Sequence, residues 1–525
     1  MPQIKSICIV GGGSAGWMSA SLLSKFLKDI KITLIESPDV KTIGVGESTL
    51  GHFNKFLDAL DLQDKDWMKS CDATYKSSIR FENFYKHGST FHYPFGFFNL
   101  ENNQNGIMDW FWLKAYTNNL DTTSFVEWFA PQAVMSENNK MTFNLDQEIP
   151  GWNFKLHTAY HMDATKFGIF LKDKIAIPNK VNHILDNIVK VNQDNKEFIT
   201  SITTSNNKEI YADLFIDCTG FSKLLIEKTL KVPFISFNDV LLNDKAIATK
   251  IPYKDKNTEM NPYTNCIAYN NGWIWNIPLY SRIGTGYVYS SKFISDYEAL
   301  DEFKNYLQSK NVDTNKLDFN FINIKHGIQK EPWKKNVCSI GLACGFIEPL
   351  ESTGLLTTHE NALRLLATLQ RRNGYVNQLD IDGWNFAARE EMEGFKQFVS
   401  IHYGMSTRED TEYWKFVTNN IHYVKNHLDM VPEFRYNNLE MIYNLNQTLW
   451  LPSESPDGKL FIIAGMNCNP VSYVHSYIEE SRSPALKEIW FKILKNKQEN
   501  FNIIRNKINQ MDTHYDFLKK YIYNE

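Results

Sequence analysis

The sequence predicts a mixed α/β fold (α+β in detail) with a mainly helical C-terminal part, and three observations carry that expectation. Residues 4–36 run as apolar strand, glycine turn, helix and second apolar strand. Residues 181–220 break into short strands of a meander. After about residue 380 glycines become scarce, and the spacing stays helical and aromatic to the end.

In chain order, Ile7-Cys8-Ile9-Val10 is a short buried strand, and Gly11-Gly12-Gly13-Ser14-Ala15-Gly16 is a tight turn. Trp17 to Leu27 carries helical spacing, and Ile32-Thr33-Leu34-Ile35 is a second strand that ends at Glu36. Ile188–Val191, Ile199–Thr203 and Glu209–Tyr211 form the meander, which closes on Leu214-Phe215-Ile216-Asp217. A third strand and turn spans Val337–Gly345. No internal repeat and no Gly/Ser linker interrupts the chain. The expected division is a discontinuous module over 1–90 and 161–400, with a mainly helical substrate lobe over 91–160 and 401–525.

At 525 residues the chain holds about 3.5 typical domain lengths, enough to bury a large core. Charged residues make up 22% and apolar ones 43%, which excludes a disordered chain. The net charge of −4, spread along the length, argues against nucleic-acid binding through phosphates. Seven scattered cysteines without a C-x-x-C pair indicate neither a disulfide framework nor a zinc site, so no metal is expected. No apolar run reaches the ~18 residues of a membrane span, and the start lacks a signal peptide's apolar centre. A soluble cytoplasmic protein is the expectation, with no membrane partner and homo-oligomerisation left open.

Gly11-x-Gly13-x-x-Gly16 sits where a dinucleotide fingerprint must sit, between a strand and a helix. Gly11 permits the turn, Gly13 lets backbone approach a pyrophosphate, and Gly16 allows close helix–strand contact. With Ser14 and Ala15, the helix start offers free N–H groups to phosphate. Glu36 follows twenty residues after Gly16, where a carboxylate accepts from a ribose hydroxyl. A single fingerprint favours FAD and leaves no evident site for NAD(P)H. The strand ending at Asp217, with Cys218-Thr219-Gly220, resembles the second segment of FAD proteins of the glutathione-reductase type. Gly341–Gly345 before Phe346 resembles their third. The predicted fold is therefore an FAD-binding, Rossmann-like module of that type with its β-sheet, plus the helical lobe.

Four further segments are recognisable. Gly44-Val45-Gly46-Glu47-Ser48-Thr49, Ala73-Thr74-Tyr75-Lys76, Trp273-Ile274-Trp275-Asn276-Ile277-Pro278 and Glu348-Pro349-Leu350-Glu351-Ser352-Thr353-Gly354 resemble the flavin-dependent halogenases of the tryptophan-halogenase type. Gly286-Tyr287-Val288-Tyr289-Ser290 and Arg408-x-Asp410-x-x-x-Trp414 extend the resemblance over roughly residues 4–415. It implies that reduced FAD, supplied by a separate flavin reductase, reacts with oxygen so that halide becomes hypohalous acid. That acid crosses a tunnel and halogenates an electron-rich aromatic. Gly46, Glu47 and Ser48 would join the cofactor site.

On residue type alone, Lys76 lies in a small polar stretch and reads as a solvated surface lysine. The resemblance makes it the residue that receives hypohalous acid, by hydrogen bonding or through its nitrogen. Glu351 reads on spacing as a cap for the helix that opens near Ser352; the resemblance places it beside Lys76, polarising the oxidant or removing the ring proton. Ser352, Thr353 and Gly354 offer N–H groups at that helix start, which suits a halide. Trp273 and Trp275 alternate and point the same way. Core packing explains them equally well, whereas the resemblance makes them, with Pro278, a shield that keeps substrate from the flavin.

Two rivals share the fold. An FAD-dependent aromatic monooxygenase would need neither the W-x-W-x-I-P run nor Lys76, and a non-enzymatic binding protein would not need an intact fingerprint with Glu36. Relatives that act on free tryptophan carry paired tyrosines, a glutamate and a Phe-Trp pair in the C-terminal lobe. Phe434 to Trp450 here holds only isolated aromatics such as Tyr436, Tyr443 and Trp450. A zwitterion taken from water needs partners for both charges. Uncharged indole- or phenol-like rings are therefore the expected substrates, and free tryptophan a poor one.

Overall fold

Ile7–Val10 has no polar face because parallel strands cover it on both edges, the helix Ser14–Phe26 covers one face and the meander the other. The strand Ser6–Val10 pairs in parallel with Lys31–Glu36 on one side and with Leu214–Asp217 on the other. Val337–Ser339 extends the sheet in parallel beyond Leu214–Asp217, and Trp333–Lys334 and Asn182–Leu185 form its edges. The computed structural model describes residues 3–40, 46–96, 124–419, 457–467 and 484–525. Contacts among them group into two compact units.

The first unit comprises residues 1–73, 161–238 and 324–393. Its six-stranded sheet is followed, after the glycine turn, by the helix Ser14–Phe26, which buries Trp17, Met18, Leu22 and Leu23. The meander forms as expected, with strands Ile188–Gln193, Ile199–Thr204 and Glu209–Tyr211. Its Ile199, Ile202 and Ile210 pack with Cys8, Phe215 and Leu225 in one cluster. Thr353–Arg371 is an amphipathic helix of nineteen residues with Leu355, Leu356, Leu365 and Leu369 inside.

The second unit comprises residues 74–160, 239–323 and 394–525. Its seven-stranded sheet runs in the order Asn320–Asn323, Lys245–Ile251, Ile283–Tyr289, Gly272–Pro278, Tyr263–Tyr269, Ser78–Glu82, Thr90–Pro94. Only Tyr263–Tyr269 and Ser78–Glu82 pair in parallel. This pairing is why residues 239–323, expected in the cofactor module, group with the second unit instead. Asp296–Ser309 opens on a capping box between Ser295 and Glu298. Its Ala299, Phe303 and Leu307 pack on Ile247, Ile267, Ile274 and Tyr287 of one sheet face. The C-terminal part is helical where described, with Asp457–Gly465, Pro484–Asn509 and His514–Leu518.

The six described cysteines are reduced and buried. Burial pushes the thiols of Cys71, Cys218 and Cys338 up, and those of Cys8 and Cys344 to about 12. No helix among the described residues is long and apolar enough to cross a membrane.

One glycine fixes the sheet's second face. Gly286 lies opposite Trp275 in the antiparallel register, and a Cβ there would strike the indole and approach the Ile247 carbonyl at 2.6 Å. Gly286→Ala is therefore expected to cost about 1–3 kcal/mol by overpacking. A clear fall in Tm by calorimetry checks it, and an unchanged Tm would show that the indole is free to move aside.

Candidate active site

The three segments that resemble FAD proteins come together at one end of the first unit's sheet. Val10 and Asp217 are register partners, Asp217 and Ser339 are the next pair, and all three strands end on the same side. Ligands of open parallel sheets bind beyond these carboxyl ends. The turn there cannot hold side chains where it touches the sheet. A Cβ on Gly11, whose φ is +112°, would enter the Cys218 carbonyl, and one on Gly16 the Gly11 carbonyl. A Cβ on Gly13 would meet nothing within 4 Å, which leaves room for a pyrophosphate above the helix start. Gly341, at φ +70°, comes so close to Ala15 that a Cβ would stand 2.7 Å from that methyl.

Glu36 reaches back over the turn. Its Oε2 would be struck by any Cβ at Gly12, and its Oε1 lies 2.8 Å from His183 Nε2. Ser14 donates its hydroxyl to the Ala164 carbonyl at 3.1 Å and so offers only its backbone. The Asp217 carboxylate is fully used within the chain. It accepts from the Thr219 amide and hydroxyl at 3.0 and 2.6 Å, and from the amides of Leu225 and Ile226 at 2.8 and 2.9 Å. It shapes the turn after its strand, leaving any contact with a cofactor to the backbone. Phe346 is half-buried, edge-on to Phe221 at 5.8 Å and parallel to His326 at 6.4 Å.

A second cluster in the same unit joins the expected halide turn to Gly46-Glu47-Ser48. Glu47 and Ser48 pair with Met162 and His161, and Ser352 donates its hydroxyl to Ser48 Oγ at 3.0 Å. Ser352 adopts φ +59°, a left-handed conformation that a non-glycine residue holds at a cost. It stands at the N-cap of Thr353–Arg371 without capping it, and a Cβ on Gly354 would meet nothing within 4 Å. The helix start therefore keeps amide donors for an anion. Glu351 is 1% exposed, in the turn Pro349–Glu351 that precedes Ser352. His326 Nδ1 accepts from the Glu348 amide at 3.1 Å and so pins the start of this turn. Gly44 and Val45 lie outside the described residues.

In the second unit Lys76 is 0% exposed, as are Thr74, Tyr75, Ser77 and Ser78 around it. The surface reading of Lys76 is thereby overturned. The polar neighbours meet their needs inside. Thr74 donates to the Pro278 carbonyl at 2.6 Å, Ser77 to the Pro262 carbonyl at 3.0 Å, and Ser78 Oγ lies 2.9 Å from His92 Nδ1. Lys76 Nζ is 4.9 Å from the centre of the Phe95 ring, within cation–π range. Trp273 and Trp275 are both buried on one sheet face with ring centres 6.2 Å apart, and their strand ends at Pro278. The Thr74–Pro278 bond therefore ties the lysine strand to the tryptophan strand.

The sequence profile of the family described as tryptophan halogenase matches residues 6–474. The chain belongs to that family. It is a flavin-dependent halogenase, an FADH2-dependent oxidoreductase that uses FAD and halide. It is 35% identical over 430 residues to the 7-chloro-L-tryptophan 6-halogenase KtzR of Kutzneria sp. (strain 744), covering 78% of this chain and 80% of that one. Among solved structures it is similar to apo VirX1, with 40% identity, a TM-score of 0.90 and complete coverage of both chains. It is also similar to Tar14, a tryptophan C-6 flavin-dependent halogenase (chlorinase) from taromycin biosynthesis, with 30% identity, a TM-score of 0.83 and coverage of 98% and 99%.

The halogenase site contains residues that sequence reasoning missed. His183 on Glu36 and His326 on Glu348 are contacts across 147 and 22 positions with no local signature. Asp163 is another: burial and then its charge push the Glu47 carboxyl up to about 7. Phe434 to Trp450, where the substrate argument rests, lies outside the described residues. Among the described residues no cluster of three or more acidic, His or Cys side chains could hold a metal.

Glu47 gives the site a pH signature. Its folded value of about 7 exceeds the ordinary 4.5, so between those values the folded chain keeps a proton that the unfolded chain has released. The resulting stabilisation is complete below about pH 4.5 and lost as pH rises through 7. Glu47→Gln carries no such loss. In flavin-free protein, its Tm relative to wild type should rise between pH 5 and pH 8 by scanning fluorimetry. A pH-independent difference would show that Glu47 ionises as an ordinary glutamate.

Proposed function

We propose that Lys76 receives hypohalous acid and directs it onto an electron-rich, uncharged aromatic ring. The complete burial of Lys76 beside the W-x-W-x-I-P strand carries this reading. When bound, reduced flavin with O2 supplies the oxidising power that converts halide and a proton into hypohalous acid, water and FAD. The turn Gly11–Gly16 and Glu36 bind the dinucleotide, with Gly341 and Phe346 beside it. The amides of Thr353 and Gly354 hold the halide, while that of Ser352 is given to the Pro349 carbonyl at 3.0 Å. Trp273, Trp275 and Pro278 keep the organic substrate away from the flavin.

Lys76 then donates a hydrogen bond to the oxygen of hypohalous acid, which makes the halogen more electrophilic and water a better leaving group. The ring carbon takes the halogen and loses its proton, so one C–H becomes C–halogen and one water is released. Glu351 accepts that proton or polarises the oxidant. The reduced flavin comes from a separate reductase, because a single dinucleotide fingerprint is present. Making the oxidant at one group and using it at another places the halogen by position and not by the ring's reactivity alone.

The sequence of Phe434–Trp450, which holds neither a Tyr-Tyr nor a Phe-Trp pair, supports uncharged substrates. The identity to relatives named as tryptophan halogenases favours a second reading, free tryptophan.

Two measurements test these readings. Lys76→Ala should oxidise reduced FAD at the wild-type rate while halogenated product, read by mass spectrometry over a panel of indoles and phenols, falls below a tenth. Product above that level would remove Lys76 from the reaction. Under the same supply of reduced FAD, kcat/KM for indole should exceed that for L-tryptophan. Tryptophan ahead by tenfold, about 1.4 kcal/mol of transition-state preference, would establish the second reading.

A further inference from the structure

The last fifteen residues form a clasp around the lysine strand. His514 is 0% exposed, and its backbone amide donates to the Asn139 carbonyl at 2.9 Å. Its imidazole bridges two backbone groups: Nδ1 donates to the Met260 carbonyl at 2.8 Å, and Nε2 accepts from the Tyr75 amide at 3.2 Å. Burial pushes the imidazole down to about 4, so it is neutral at physiological pH, with one donor and one acceptor. Its two bonds use both and fix the tautomer.

Both partners flank Lys76. Tyr75 directly precedes it. Met260 is two residues before Pro262, whose carbonyl accepts from the Ser77 amide at 2.8 Å. The imidazole thus closes a frame with Lys76 in the middle. The Tyr75 ring leans on Phe517 at 6.0 Å and on Phe154 at 5.1 Å, so the same C-terminal helix supports the strand through its side chain as well. A second contact reaches the tryptophan strand. Tyr523 stacks on Tyr280 at 3.4 Å, and the Tyr280 hydroxyl donates to Glu525 at 2.7 Å. Tyr280 lies two residues beyond Pro278, whose carbonyl holds Thr74.

We propose that His514 is a positioning residue: through the Tyr75 amide it sets the direction of the lysine strand, and so couples halogen transfer to flavin oxidation. The inference rests on Lys76 being the residue that receives hypohalous acid. Chemistry at the flavin does not need this bond, so its loss should release the oxidant unused and leave flavin oxidation untouched.

The test uses the 525-residue chain with reduced FAD, bromide and indole. Halogenated product per FADH2 oxidised, the rate of FADH2 oxidation and Tm are measured together. Asn places its amide near the Nδ1 position and Gln near the Nε2 position. His514→Gln therefore keeps an acceptor for Tyr75, whereas His514→Asn keeps only the Met260 contact. The expected result is a tenfold or greater loss of product per FADH2 in His514→Asn at an unchanged oxidation rate, with His514→Gln within threefold of wild type. Equal coupling in both variants, or a parallel fall in coupling and flavin oxidation, overturns the proposal. Lys76→Ala in the same assay separates the two ideas: full coupling there sinks the lysine reading, whereas its loss beside a fully coupled His514→Asn sinks the His514 proposal alone. Should His514→Asn fail to fold, Tyr280→Phe carries the test from the other end of the clasp. It should lower coupling at least twofold, and wild-type coupling there overturns the proposal.

Discussion

Removing the Lys76 ammonium from water costs several kcal/mol unless polar groups and ring faces replace the solvent, and they do so only if the chain around them is held still. Much of the second unit's local structure meets that demand. Thr74, Ser77 and Ser78 each spend a hydroxyl on a neighbouring segment, and Phe95 turns its ring face toward the amine. The amide of Phe95 is itself bonded to the Ser77 carbonyl at 2.8 Å, so the ring and the amine are fixed to one piece of backbone. A lysine so confined has few rotamers left. An oxidised halogen bound to it would be offered in one direction.

The first unit would meet a different demand on the proposed reading, which is to hold a polyanion and a small anion with backbone. Its glycines are absent of side chains where strand, turn and helix touch, and open toward solvent at Gly13 and Gly354. Asp217 shows how carboxylates serve such a site indirectly. By accepting four hydrogen bonds it organises Thr219 to Ile226 and leaves no oxygen for a ligand. The left-handed Ser352 works in the same way, since its hydroxyl is given to Ser48 and the helix behind it stays uncapped.

The parts legible in the sequence were those written locally. The fingerprint with its flanking strands, the meander, the third strand and the alternation of Trp273 and Trp275 all depend on neighbours within a few residues. The environment of Lys76 was not legible, because Thr-Tyr-Lys-Ser-Ser is a polar string whose partners lie up to 439 positions away. Polarity there means bonds satisfied inside and not exposure to water. The contact grouping departs from the expected division for a similar reason. Nothing in Ser78–Glu82 announces that it will pair in parallel with Tyr263–Tyr269. Glu36 was identified by its spacing, yet the imidazole that orients it could come only from the folded chain.

The buried cysteines acquire a meaning once the chemistry is known. Thiolates are the protein groups that electrophilic halogen attacks most readily, and reactivity follows the ionised fraction. Cys8 and Cys344, held near 12, are almost wholly protonated at neutral pH, and Cys71, Cys218 and Cys338 are raised as well. A catalyst that handles such an electrophile at every turnover is exposed to self-inactivation by its own leakage. On the proposed mechanism, keeping these sulfurs protonated and buried would make them slow targets for such an electrophile.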